Sequence, residues 1–270
     1  MPDFVRLAFG TLTRLPVPPP SQVDKNTARW AMIFAPVVGL LLGGIAVVTL
    51  DGVRVLAKND RSPSLVDLLA ATMAITVLAF MSRGLHLDGL ADSFDALGVK
   101  GPNTEATRIK RLDVMRSPEI GAFGVVSVVL CLLIQIAALS SCIAAGLGSF
   151  GLLTAVMASR LSLTLSCRPS VASARPEGLG AAVAGTVPAA AGVLVALMAI
   201  GVAALFGRLD DDASLRTVAA LVGAVIGAIV TGQLSLRMFT RELGGLTGDV
   251  LGAVTELSMA GALLATAFLI

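Results

Sequence analysis

This chain is short of charge. Only 14% of its 270 residues are Asp, Glu, Lys or Arg, against roughly 25% in a soluble domain. Hydrophobic residues make up 56%, and the mean hydropathy is +0.89. One soluble core of this size cannot hide so much apolar surface, whereas a bilayer accepts apolar helices of about 20 residues each. A soluble globular domain is therefore excluded. The chain reads as a single all-α membrane-embedded domain over residues 1–270, a polytopic helical bundle.

Other shortages narrow the reading further. A net charge of +2 lacks the electrostatics that draw a protein to nucleic acid, so membrane lipid is an expected partner and nucleic acid is not. Cys131, Cys142 and Cys167 have no metal-ligand spacing and read as small buried fillers. The opening "MPDFVRLAFGTLTRLPVPPP" lacks the uninterrupted apolar centre of a secretory signal. It reads instead as an interfacial segment, 1–28, whose short amphipathic helix sets Phe4, Leu7, Ala8 and Leu12 on one side and is stopped by Pro16 and Pro18 to Pro20. There is no low-complexity tract and no convincing internal repeat.

What the chain does have is long apolar runs. Seven can span a bilayer, at about 31–50, 65–82, 120–142, 146–166, 181–206, 217–236 and 251–270. Threaded alternately, they divide the 20 basic residues unequally. One side takes Arg6, Arg14, Lys25, Arg29, Arg83, Lys100, Arg108, Lys110, Arg111, Arg116, Arg160, Arg168, Arg175, Arg237 and Arg241. The other takes Arg54, Lys58, Arg61, Arg208 and Arg216. The imbalance predicts a cytoplasmic N-terminus and an outer C-terminus. The acidic run Asp210 to Asp212 falls outside, as a solvated loop. The polar stretches 83–119, 159–180 and 237–256 all fall inside, where they could share one site.

The first of these contains "LHLDGLADSFD", with the only histidine, His86, and three aspartates. Asp88, Asp92 and Asp95 are spaced i, i+4, i+7 and so lie on one helical stripe. Like charges on one stripe repel, so the trio reads either as a solvated turn at the membrane edge or as a site that takes a cation. An all-oxygen set suits Mg²⁺ held by one or two carboxylates plus substrate phosphates. Gly89 and Ala91 keep the helix surface bare beside the acids. His86 could be a base, a phosphate donor or an ordinary polar interface residue.

The second constellation is "RELGGLTGDVLGAVTEL". Gly244, Gly248 and Gly252 recur every four residues, a pattern that suits helix packing and equally a turn offering N–H groups to phosphate. Asp249 and Glu256 fall i, i+7 on one face of the helix that follows. The third is "SCRPSVASARPEGLG", where Arg168 and Arg175, near Glu177, suit phosphate oxygens. The pairs Gly39/Gly43 and Gly223/Gly227 lie in plain apolar runs, for which helix packing suffices. The whole inventory fits phosphoryl-group transfer to a membrane-proximal acceptor.

The stretches "GLHLDGLADSFDALG", "VMRSPEIGAFGV", "ARPEGLG" and "LGGLTGDVLGAVTEL", with "TRLPVP" and "FAPVVGLLLGG", resemble the cobalamin synthase family in the same order from about residue 9 to 260. The resemblance implies a bacterial inner-membrane, multi-pass, Mg²⁺-dependent transferase. It would join adenosylcobinamide-GDP to α-ribazole or its 5′-phosphate and release GMP. Asp88, Asp92 and Asp95 match the family's acidic motif, Asp249 and Glu256 its C-terminal acids, and Arg175 and Gly178 its arginine-rich loop. Two departures stand out: Ala96 where Gly is common, and Arg116-Ser117-Pro118-Glu119 in place of a Lys-Asp-Ser-Arg type of run.

Asp88, Asp92, Asp95, Asp249 and Glu256 are thus expected at the metal, and Asp92, Asp95 or His86 in catalysis. Arg175, Arg168, Lys110, Gly248 and Glu177 are expected at the phosphates. Two rivals share part of this inventory. A CDP-alcohol phosphotransferase acting on lipid would need Arg after Ala91, where Asp92 stands. An ion-coupled transporter would show inverted halves with midplane acids. The oligomeric state stays open, a homo-oligomer included.

Overall fold

The computed structural model describes residues 1–57, 62–210 and 213–270. Lys58 and Arg61 of the charge pattern, and Asp211 and Asp212 of the acidic run, lie outside the described residues. The architecture is all-helical: α1 (Asp3–Leu12), α2 (Lys25–Leu56), α3 (Pro63–Met81), α4 (Leu85–Gly98), α5 (Thr104–Val114), α6 (Ala122–Ala144), α7 (Gly148–Ser166), α8 (Leu179–Val183), α9 (Ala189–Leu209), α10 (Leu215–Leu243) and α11 (Gly248–Leu269). Among the described residues seven helices, α2, α3, α6, α7, α9, α10 and α11, are long and apolar enough to cross a membrane. This is a multi-pass membrane protein.

Helix starts follow side-chain capping. Asp24, Asn103, Ser214 and Thr247 each accept the backbone N–H three residues on, at 2.7, 2.9, 3.1 and 3.1 Å. Each satisfies one of the donors that a first helical turn leaves free. Pro63 opens α3, where a missing N–H costs nothing.

Helices α7 and α11 form the centre of the bundle, each with 78% of its apolar window buried, while α9 at 17% and α6 at 28% face outward. An all-round apolar pattern cannot distinguish such positions, because lipid and protein interior are equally apolar. Close approach comes from small residues, as expected of Gly39 and Gly227. A Cβ at either would stand 2.8 Å from the Val156 carbonyl oxygen or 2.7 Å from the Gly261 carbonyl oxygen.

Several boundaries differ from the sequence reading. The fifth span begins at Ala189 rather than 181, because 179–183 is a separate short helix and Val187 N–H bonds back to the Cys167 carbonyl at 3.0 Å. Helix α10 runs on to Leu243, carrying Arg237, Arg241 and Glu242 beyond the apolar run. Arg160, counted among the membrane-flank charges, is instead 2% exposed inside α7. The N-terminal amphipathic helix is present, but it packs on α2: the Phe4 ring stands 5.8 Å from Phe34 and 6.4 Å from Trp30. The three cysteines are free and buried.

Candidate active site

Connections 82–121, 167–188 and 244–247 meet at one end of the bundle. Their meeting is held by backbone pairing. Leu246 N–H donates to the Ala172 carbonyl at 2.8 Å, and Ala174 N–H to the Leu246 carbonyl at 3.0 Å. The pairing requires Gly245, whose φ is +157° and whose missing Cβ would lie 2.5 Å from Ala174 N. The loop carrying Arg175 is thereby fixed to the turn that precedes Asp249.

Helix α4 enters through a left-handed corner, Arg83 at φ +59° and Gly84 at +68°. The Arg83 guanidinium donates to the Gly10 and Thr13 carbonyls, and Arg14 N–H to the Met81 carbonyl at 2.6 Å, so the end of α1 is strapped to this corner. Two glycines then bring α4 and α11 together. A Cβ on Gly89 would meet the Asp249 carbonyl oxygen at 2.5 Å, and one on Gly252 would meet the His86 Cα at 3.0 Å. This crossing sets Asp249, in the first turn of α11, beside the α4 acids.

Asp88 is exposed, and Asp92 and Asp249 are half-buried. Partial burial, then the charges of Asp88, Asp249 and Asp95, push the Asp92 carboxyl up to about 7, with Arg175 opposing. Four acids and an arginine therefore share one field. Arg175 donates through Nη2 to the Leu112 carbonyl at 2.7 Å, while its buried Nε meets no hydrogen-bond partner. Among the described residues, no group of three His, Cys, Asp or Glu side chains could hold a metal ion by itself.

The other expected residues have contacts of their own. Asp95 caps the neighbouring helix: its oxygens accept N–H from Gly121 at 2.7 Å and Gly124 at 2.8 Å, at the start of α6. Glu256 sits two turns deeper in α11, 8% exposed, and accepts from Gln135 Nε2 at 2.9 Å. His86 is 3% exposed, with Nδ1 3.8 Å from the Glu256 carboxylate. Burial, and secondarily the Arg160 charge, push its imidazole down to about 3, so the ring is neutral and the contact is not an ion pair.

Arg168 is engaged with the Leu165 carbonyl at 3.0 Å, Ser170 at 3.0 Å and Gln233. Lys110 on α5 and Glu177 before α8 are exposed, and Gly248 opens α11. Buried Gln135 escaped the sequence reading, and Arg160 entered it only as a membrane-flank charge. The available signal was a lone amide in the apolar α6 run and a lone cation within α7.

Fold and site together define a multi-pass helical membrane protein with an acid cluster and an arginine at one end of its bundle. The model of the family described as Cobalamin-5-phosphate synthase matches residues 4–267. The chain belongs to that family, which is a family of enzymes. It is 42% identical over 269 residues to the adenosylcobinamide-GDP ribazoletransferase of Frankia casuarinae, covering 98% of this chain and 94% of that one. Relatives of the same name are 37% identical in a Nocardioides species, with 99% of both chains covered, and 35% identical in Pseudomonas aeruginosa, with 97% and 96% covered. No solved structure matches the chain.

Proposed function

We propose that the chain joins adenosylcobinamide-GDP to α-ribazole or its 5′-phosphate, giving adenosylcobalamin or its 5′-phosphate and GMP. The names of its relatives support both substrates. Within the chain, the observation that carries the reading is the packing of Gly89 on Asp249, which adds a fourth acid to the α4 stripe opposite Arg175.

The donor set fits Mg²⁺. All the donors are carboxylate oxygens, and their mutual repulsion calls for a cation. Mg²⁺ commonly uses one or two carboxylates and completes its shell with water and substrate phosphate, which suits acids that form no closed cage. Asp88 and Asp249 would hold the ion, which neutralises charge on the diphosphate.

The chain's own residues supply positioning and proton transfer. The Arg175 guanidinium, in the field of Asp92, and the first-turn N–H groups of α11 at Gly248 hold phosphate oxygens. The ribazole 5′ oxygen forms a bond to the phosphorus on the cobinamide side, and the bridging P–O bond breaks so that GMP leaves with its electron pair. Asp92, titrating near neutrality, accepts the hydroxyl proton. Asp95 is less suited to that task, because both its oxygens already accept backbone N–H.

The site end faces the cytoplasm across a bacterial inner membrane, a reading supported by the basic residues Arg14, Arg83, Arg108 and Arg111 at that end. Vesicles bearing the chain, given both substrates, test the proposal. GMP and cobamide should form in equal amounts and only with Mg²⁺. Wild-type rates from Asp92→Asn would sink it.

A further inference from the structure

Beneath the acid cluster, one long polar side chain from each of four helices reaches the same part of the bundle interior, among smaller buried serines and threonines. They are His86 from α4, Gln135 from α6, Arg160 from α7 and Glu256 from α11, with exposures of 3%, 1%, 2% and 8%. Ionisable residues inside a span are costly and are kept for a task. We propose that Gln135 and Arg160 are positioning residues that fix the depth and rotation of α11 through Glu256, and so place Asp249 against the α4 acids. Glu256 is then an anchor for these residues rather than a metal ligand. The catalytic arm of this inference rests on the transferase reading above.

The contacts specify both coordinates. Gln135 Nε2 donates to the Glu256 carboxylate at 2.9 Å and to the Glu256 backbone carbonyl at 3.2 Å. Holding side chain and main chain of one residue together sets the rotation of α11 as well as its depth. Arg160 lies within electrostatic reach of Glu256, and both line one cavity of about 10 Å³ with Gln135. Its Nη1 donates to Ser159 at 2.8 Å, while its Nε is buried with no hydrogen-bond partner. Glu256 is the acid that shares this cavity with it.

Asp249 lies seven residues above Glu256, about 10 Å along a rigid helix. A rotation at one is therefore delivered to the other. Gly252, between them, packs on the His86 backbone and fixes the pivot.

A double-mutant cycle on the full chain tests this. The variants are Arg160→Met, Glu256→Gln and the pair, read by thermal unfolding in detergent and by Mg²⁺-dependent GMP release. Each single variant should lower the unfolding midpoint by about 5 °C or more, because a buried charge loses its partner. The pair should recover at least about half of that loss. Single variants should also cut kcat about tenfold while the half-saturating Mg²⁺ concentration stays within about twofold.

Additive losses in the pair would overturn the proposal. So would an unchanged midpoint in Glu256→Gln accompanied by an about tenfold higher Mg²⁺ requirement, the signature of a ligand. Should Arg160→Met not fold, Arg160→Gln, which also removes the cation but keeps a polar head, closes the same cycle. The midpoints decide the coupling even for a chain that releases no GMP, an outcome that would sink the transferase reading alone.

Discussion

Gly89 of α4 lies against the backbone of Asp249 in α11 so closely that a Cβ at Gly89 would stand 2.5 Å from the Asp249 carbonyl oxygen and 2.8 Å from its Cα. The two residues are far apart in the chain. Their contact is what makes one acid cluster of two separate motifs.

Gly89→Ala should therefore separate α4 from α11. Overpacking of this kind costs about 1–3 kcal/mol, which a bundle of this size can survive. A shift of about 1 Å between the acids should lower turnover about a hundredfold. Parallel measurement of unfolding midpoint and GMP release checks this. Intact turnover in Gly89→Ala would mean that the crossing does not set the chemistry.

Asp95 offers a different expectation. Its two oxygens satisfy Gly121 and Gly124 at the start of α6, and loss of such a cap costs about 0.5–2 kcal/mol. Asp95→Ala should lower the unfolding midpoint, and Asp95→Asn, which keeps one acceptor oxygen, should lower it less. The Mg²⁺ requirement of both should match the wild type. A raised requirement with unchanged stability would return Asp95 to the metal.

The Asp92 carboxyl sets a pH dependence whose sign follows from its direction of shift. Its pKa in the fold, about 7, lies above its ordinary value of 3.8. The folded chain thus holds a proton that the unfolded chain releases. This contribution to stability is complete below about pH 4 and lost as pH rises through about 7. Without Mg²⁺, the wild type should therefore lose stability relative to Asp92→Asn across that window. Parallel unfolding curves from pH 5 to 8 would contradict the shared field of Asp88, Asp249 and Asp95.

Arg175 should act in binding. Arg175→Ala removes a charge-assisted donor worth about 1.5–3 kcal/mol, so KM for adenosylcobinamide-GDP should rise about tenfold or more. Arg175→Lys keeps the charge without the fork and should fall between. Steady-state kinetics on both variants checks the order.

Much of the fold was legible in the residues, because apolar runs of span length have one common solution in a bilayer. Which spans are central was not. Helices α7 and α9 both have span length, yet α7, the more polar of the two with Thr154, Ser159, Arg160, Ser162 and Thr164, is buried and α9 faces outward; length alone does not separate them, because an apolar residue is indifferent to lipid or protein neighbours. The site was legible in kind more than in membership. The spacing of Asp88, Asp92 and Asp95 puts them on one face of a helix, but periodicity does not say what stands opposite each residue. Asp95 meets the α6 N-terminus, and Glu256 meets Gln135. Arg160 was misread because a cation near the end of an apolar run looks like a membrane flank, whereas its guanidinium turns inward.

The central claim is that α4 and α11 form one Mg²⁺-dependent transfer site. It is tested most directly by GMP release from adenosylcobinamide-GDP and α-ribazole 5′-phosphate by the purified chain in vesicles, comparing wild type with Asp249→Asn across Mg²⁺ concentrations. The account predicts stoichiometric GMP and cobamide from the wild type, none without Mg²⁺, and a variant whose turnover falls about a hundredfold or more with a raised Mg²⁺ requirement. Equal turnover by wild type and variant at every Mg²⁺ concentration would contradict it.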